Sequence, residues 1–192
     1  MQLSERLEEY RALRATIRER GTARLIVALV TFVAWAGLLL VVGAFISIPA
    51  FSLVPLLVLA AGFEAVFAAH VGVERIGRYL QVFHEPGSPV SPCWELLAMA
   101  GSPKPRPSAR LDPLFAGLFA AATLLNLIPV VLLTAGVDER LPGGLSLELA
   151  VYSLLHFLFL WRLVAAWRFA SHQRKHDLEH FVAVRDAASS RR

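Results

Sequence analysis

Residues 25–63 read LIVALVTFVAWAGLLLVVGAFISIPAFSLVPLLVLAAGF, with no charged side chain anywhere in the run. A bilayer core about 30 Å thick asks for roughly 20 helical residues, so this stretch is long enough to cross it twice. Pro49 and Pro55 bracket a short uncharged turn, Ser47–Ser52, that divides it into spans at 25–46 and 53–73. A second charge-free run, Pro113–Val137, supplies a third span at 114–134. Asp112 suits its N-cap, and Pro113 suits the first helical position, where a missing N–H removes no helical bond. The fourth span, 147–167, is less clean because it holds His156 and Arg162. Ser146 is a candidate cap there, and Trp161 and Trp167 suit an interfacial aromatic belt.

Composition agrees with this reading. Of 192 residues, 56% are hydrophobic and 18% charged, against about 45–50% and 25% in an ordinary soluble domain. That balance excludes a disordered tail. A single cysteine, Cys93, excludes an internal disulfide framework. With no CxxC partner, Cys93 reads as a small apolar residue beside Trp94.

Basic residues are distributed unevenly along the chain. Six arginines precede residue 25, five Lys and Arg separate spans two and three, and six more follow from Arg168 onward. Only Arg140 falls in a loop on the other side. Lys and Arg stay on the cytoplasmic side of short loops. The expectation is therefore a multi-pass protein of the cytoplasmic (inner) membrane with N- and C-termini cytoplasmic. The run at 25–46 exceeds the roughly 7–15 apolar residues of a signal peptide and reads as a retained anchor. The same asymmetry accounts for the net charge of +4, with anionic headgroups of the lipid bilayer as the default partner. No basic stripe interleaved with aromatics is present, so no nucleic acid is expected as a partner.

Outside the spans, residues 1–23 carry an apolar stripe of Leu3, Leu7, Tyr10, Leu13 and Ile17, the spacing of an amphipathic helix. Such a helix lies on the membrane, pairs with a partner, or packs on the protein's own cytoplasmic helices, the last being favoured. Span two continues in helical register through Val73, Ile76, Leu80 and Phe83 until Pro86 and Gly87 stop it. Glu74 and Arg78 form an i,i+4 pair on this extension. The rest of 74–112 is a Pro-rich loop holding a short helix at Pro92–Ala100, and the tail 168–192 is helical through Phe169, Leu178, Phe181 and Val182. No internal repeat is present. The expected fold is an all-α integral membrane protein: one domain, a four-transmembrane-helix bundle with cytoplasmic helical extensions and an N-terminal amphipathic helix.

Polar residues inside apolar spans are expensive and therefore informative. Glu64 lies one residue from the middle of span two, and Asn126 and His156 lie near the middles of spans three and four. They suggest an intramembrane polar layer, with Arg162 as a rival partner for Glu64. Such a layer serves either to fix bundle register by interhelical hydrogen bonds or to relay protons or bind a ligand, and the register role carries more weight.

Histidines give the second signal. His172, His176 and His180 recur at i, i+4 and i+8 below span four, and two imidazoles one turn apart can share a metal ion. Together with His84 and Glu85 on the extension of span two, they make a candidate transition-metal site. The competing reading is a solvated helix face, which carries more weight. His70 and Glu74 form a further i,i+4 pair near the inner interface. The HxxHH clusters of integral-membrane di-iron desaturases are absent, and a haem shared by His70 and His156 would need ligands at matching depth. No P-loop, GxGxxG, GxSxG or HExxH is present.

The leading expectation is a small polytopic inner-membrane protein of structural or accessory-subunit type, self-associating or bound to a membrane-protein partner, with no evident catalytic motif. The alternative is a metal- or haem-binding membrane protein, redox in function, using the cytoplasmic-side histidines. A second alternative is a proton-coupled carrier centred on Glu64.

Overall fold

The computed structural model describes residues 3–45, 51, 53–84, 113–135 and 143–190. Among these the chain is all-helical, with no strand: α1 is Leu3–Phe45, α2 Leu53–Phe83, α3 Pro113–Ala135 and α4 Gly143–Ser189. Three helices are long and apolar enough to cross a membrane, α1, α2 and α4, while α3 contributes the shorter apolar stretch Leu114–Ile128.

The amphipathic segment and the first apolar run form one helix of 43 residues rather than two. Nothing in residues 18–24 breaks a helix: there is no proline, and Gly21 stands alone. Pro55 falls in the first turn of α2 and Pro113 at the start of α3, where the proline removes no intrahelical bond. α2 runs on to Phe83 as its apolar register predicts, and the His84 N–H closes the final turn on the Leu80 carbonyl at 2.9 Å. α4 starts at Gly143, so Ser146 lies inside its first turn instead of capping it. The helix expected at Pro92–Ala100, the Pro-rich loop, Cys93, the cap expected at Asp112 and most of the turn expected at Ser47–Ser52 lie outside the described residues.

The chain divides into two compact units. One comprises Leu25–Phe67 and Asp112–Ala166 and is built on aromatic packing. Phe63, fully buried, meets Phe119 edge-on at 5.4 Å and Phe159 at 5.9 Å, and stacks on Phe67 at 5.9 Å. Phe32 brings α1 into the cluster through Phe119 at 4.9 Å. A Cβ added at Gly62 would overlap the Thr31 side chain, so the glycine is what lets α1 and α2 approach so closely here. The outside of this unit is apolar: Leu29, Leu40, Leu57, Leu147 and Phe157 are all largely exposed.

The other unit comprises Met1–Arg24, Ala68–Leu111 and Trp167–Arg192. Its apolar centre is small, with Leu80, Val82 and Ala170 buried. Tyr79 and Phe83 pack against Phe181 at 5.8 and 6.3 Å. Charged and polar side chains make up much of what remains.

Candidate functional site

In the apolar unit, the four polar residues expected to form one layer sort into two pairs. Asn126 and His156 are both buried, and Asn126 Nδ2 lies 3.0 Å from His156 Nε2. His156 Nδ1 lies 2.8 Å from the Tyr152 carbonyl, which can only accept. The proton is therefore on Nδ1, and Nε2 accepts from the Asn126 amide. Both ring nitrogens are thus engaged, and a metal or haem iron at either would have to displace a hydrogen bond.

Glu64 and Arg162 form the second pair, with Arg162 Nη2 donating to Glu64 Oε2 at 2.8 Å. The Arg162 guanidinium also lies over the rings of Phe67 and Phe63, at 5.2 and 5.9 Å. This pair sits at the edge of its unit, with about half of the Glu64 side chain exposed.

The polar unit holds a denser network. Glu74 accepts from Arg174 at 2.7 Å and faces Arg78 at 3.6 Å. Arg78 in turn donates to Gln81 at 2.8 Å, and Gln173 donates to the buried Asp177 at 2.9 Å. Arg24 Nη1 lies 3.2 Å from His70 Nδ1, and because a guanidinium only donates, that nitrogen accepts. His70, Glu74, Arg78, Gln173, Arg174 and Asp177 line a cavity of about 10 Å³, room for one water molecule. His70 and Glu74 thus line one cavity, and each meets an arginine from another helix.

The N-terminal part of α1 packs on the end of α2. Tyr79 donates to Glu9 at 2.7 Å, His84 Nε2 stands 3.5 Å from the same carboxylate, and Tyr10 stacks obliquely on His84 at 5.8 Å. Burial, then the hydrogen bond to Glu9 and the charge of Glu9, push the Tyr79 phenol above its ordinary value of 10.0.

Among the described residues, no group of three or more His, Cys, Asp or Glu side chains is placed to hold a metal ion. His84 is engaged with Glu9 and Tyr10, while His172, His176 and His180 are exposed along α4. Glu85 lies outside the described residues.

Sequence reasoning missed Glu9, Arg24, Tyr79, Arg174 and Asp177 as network members. The contacts between α1 and α2 follow one numerical regularity. In the polar unit, the residue numbers of Arg24 and His70, Arg20 and Gly72, and Glu9 and His84 each add to within one of 93. Thr31 and Gly62 do so in the apolar unit. Counting outward from the expected Ser47–Ser52 turn gives pairs whose numbers add to 99, six away from this sum, so that turn would not have paired them.

No family model matches the chain, and no curated protein or solved structure compared with it matches either.

Proposed function

We propose that the chain is a multi-pass protein of the cytoplasmic membrane with four spans and both termini cytoplasmic, acting as a structural or accessory subunit. The observation that carries this reading is the closed Asn126–Nε2 and Nδ1–Tyr152 arrangement at His156. A proton relay or ligand site presents a polar group to a cavity. Here Asn126 and His156, both buried on different helices, are bonded to each other, which is what fixing bundle register requires.

Three further features support the membrane part. The exposed surface of the apolar unit is built of Leu, Val, Phe and Trp, far beyond the apolar patches a soluble monomer tolerates. α3, at 23 residues, reaches about 34 Å at 1.5 Å per residue, enough for the hydrocarbon core. The uneven placement of Lys and Arg gives the orientation.

The test is extraction of membranes with alkaline carbonate, followed by elemental analysis of the protein purified without chelators. The reading predicts retention in the membrane and no stoichiometric metal. Near-stoichiometric iron, zinc or copper that disappears in a His176→Ala, His180→Ala variant would replace it with the metalloprotein reading.

A further inference from the structure

We infer that the face of α2 and α4 carrying Glu64 and Arg162 is closed by a second copy of this chain, related by a two-fold axis along the membrane normal. The inference rests on the proposed membrane insertion. The ion pair is bonded at 2.8 Å, yet 49% of the Glu64 side chain and 40% of that of Arg162 remain exposed. Along α2, Glu64 lies six residues from His70, the partner of Arg24, or about 9 Å farther into the apolar part of the helix. Charged groups at such depth face protein or water, because exposure to hydrocarbon is costly. The usual escape for an arginine is to extend toward the headgroups. Arg162 does not take it, since its guanidinium is held over Phe67 and Phe63 and bonded to Glu64.

Charge complementarity selects the occupant. α2 and α4 run side by side in the same direction, and Glu64 and Arg162 touch across them. A two-fold axis parallel to the helices sets α2 of one copy against α4 of the other. Each Glu64 then faces Arg162 of the second copy, and each Arg162 faces Glu64 of the second copy, closing a ring of four alternating charges. The surface nearby permits the approach: Ala61 and Ala65 are exposed beside Glu64, and Ala165 is half-exposed one turn from Arg162. Small residues let transmembrane helices pack closely.

Subunit counting by single-molecule photobleaching in lipid nanodiscs, with carbonate extraction run in parallel, decides the matter. The wild type is expected to bleach in two steps. Glu64→Arg places four cations in the ring and Arg162→Glu four anions, and each is expected to cut the two-step fraction roughly tenfold or more. Co-expressing the two reversal variants, each with its own fluorophore, restores dimers that carry both colours, whereas a purely intramolecular pair predicts no such recovery. Should a reversal variant fail to fold, Ala65→Trp serves instead: it blocks the face from outside and is expected to give single-step bleaching while the protein stays folded and carbonate-resistant. One-step bleaching of a carbonate-resistant wild type overturns this inference alone. Release of the wild type by carbonate overturns the membrane reading and the inference with it.

Discussion

Asn126 and His156 share a hydrogen bond of 3.0 Å between α3 and α4, with both side chains buried. Removing one partner leaves the other's polar atom buried without a replacement, which costs about 1–3 kcal/mol. Asn126→Leu and His156→Phe are each expected to destabilise the protein by that amount. The double variant is expected to cost less than the two singles added together, because no orphaned group remains. Denaturation in mixed micelles, read as a double-mutant cycle, checks this. Strict additivity would mean the bond does not couple the helices.

Gly62 and Thr31 set the separation of α1 from α2. A Cβ at position 62 would lie 2.7 Å from the Thr31 Cβ and closer still to the threonine's outer atoms. Gly62→Ala gains about 1 kcal/mol in helix propensity, but the overlap is expected to outweigh it and give a net loss of roughly 1–3 kcal/mol. Adding Thr31→Ala removes the outer atoms and leaves the Cβ contact, so recovery should be partial. Thermal unfolding of the three variants tests the order wild type, double variant, single variant.

Glu74 is the shared counter-charge of Arg78 and Arg174, and it is partly shielded from solvent. Glu74→Gln leaves two arginines facing one another and is expected to cost about 2 kcal/mol, less than the 3–5 of a fully buried pair. The pair of Lys175 and Glu179, 3.9 Å apart and largely exposed, is the control. Glu179→Gln should change stability by no more than about 0.5 kcal/mol. Chemical denaturation of the two variants side by side measures the contrast.

Alkaline pH should loosen the contact between Tyr79 and Glu9. The folded phenol is held above 10.0 by burial and by Glu9, while the unfolded phenol ionises near its ordinary value. The contribution to stability is complete below pH 10 and is lost as pH rises through the higher folded value. Melting temperature should therefore fall more steeply above pH 10 in the wild type than in Tyr79→Phe. Parallel slopes would show that the hydroxyl does not report on folding.

The all-helical character, and three helices long and apolar enough to cross a membrane, were legible from the long uncharged runs. The extension of α2 to Phe83 followed from Val73, Ile76, Leu80 and Phe83, and its end from Pro86 and Gly87. The break expected between residues 23 and 25 was a change of charge, not of backbone preference, so α1 passes straight through it. Glu64, Asn126, His156 and Arg162 stood out because polar groups in apolar runs are costly. Their sorting into two pairs depends on which helices are neighbours, and one-dimensional periodicity does not carry that. The tie between Arg24 and His70 was invisible for a different reason: Arg24 looked like one of several flanking positive charges.

Four crossings of the bilayer with both ends inside are open to a test by cysteine accessibility. In a Cys93→Ser background, single cysteines replace Arg18, Arg140 and Ala183, and intact cells are treated with a membrane-impermeant maleimide before and after permeabilisation. Labelling is expected at position 140 in intact cells and at 18 and 183 only after permeabilisation. Labelling of position 183 from outside, with 18 still protected, would mean an odd number of crossings and contradict this topology.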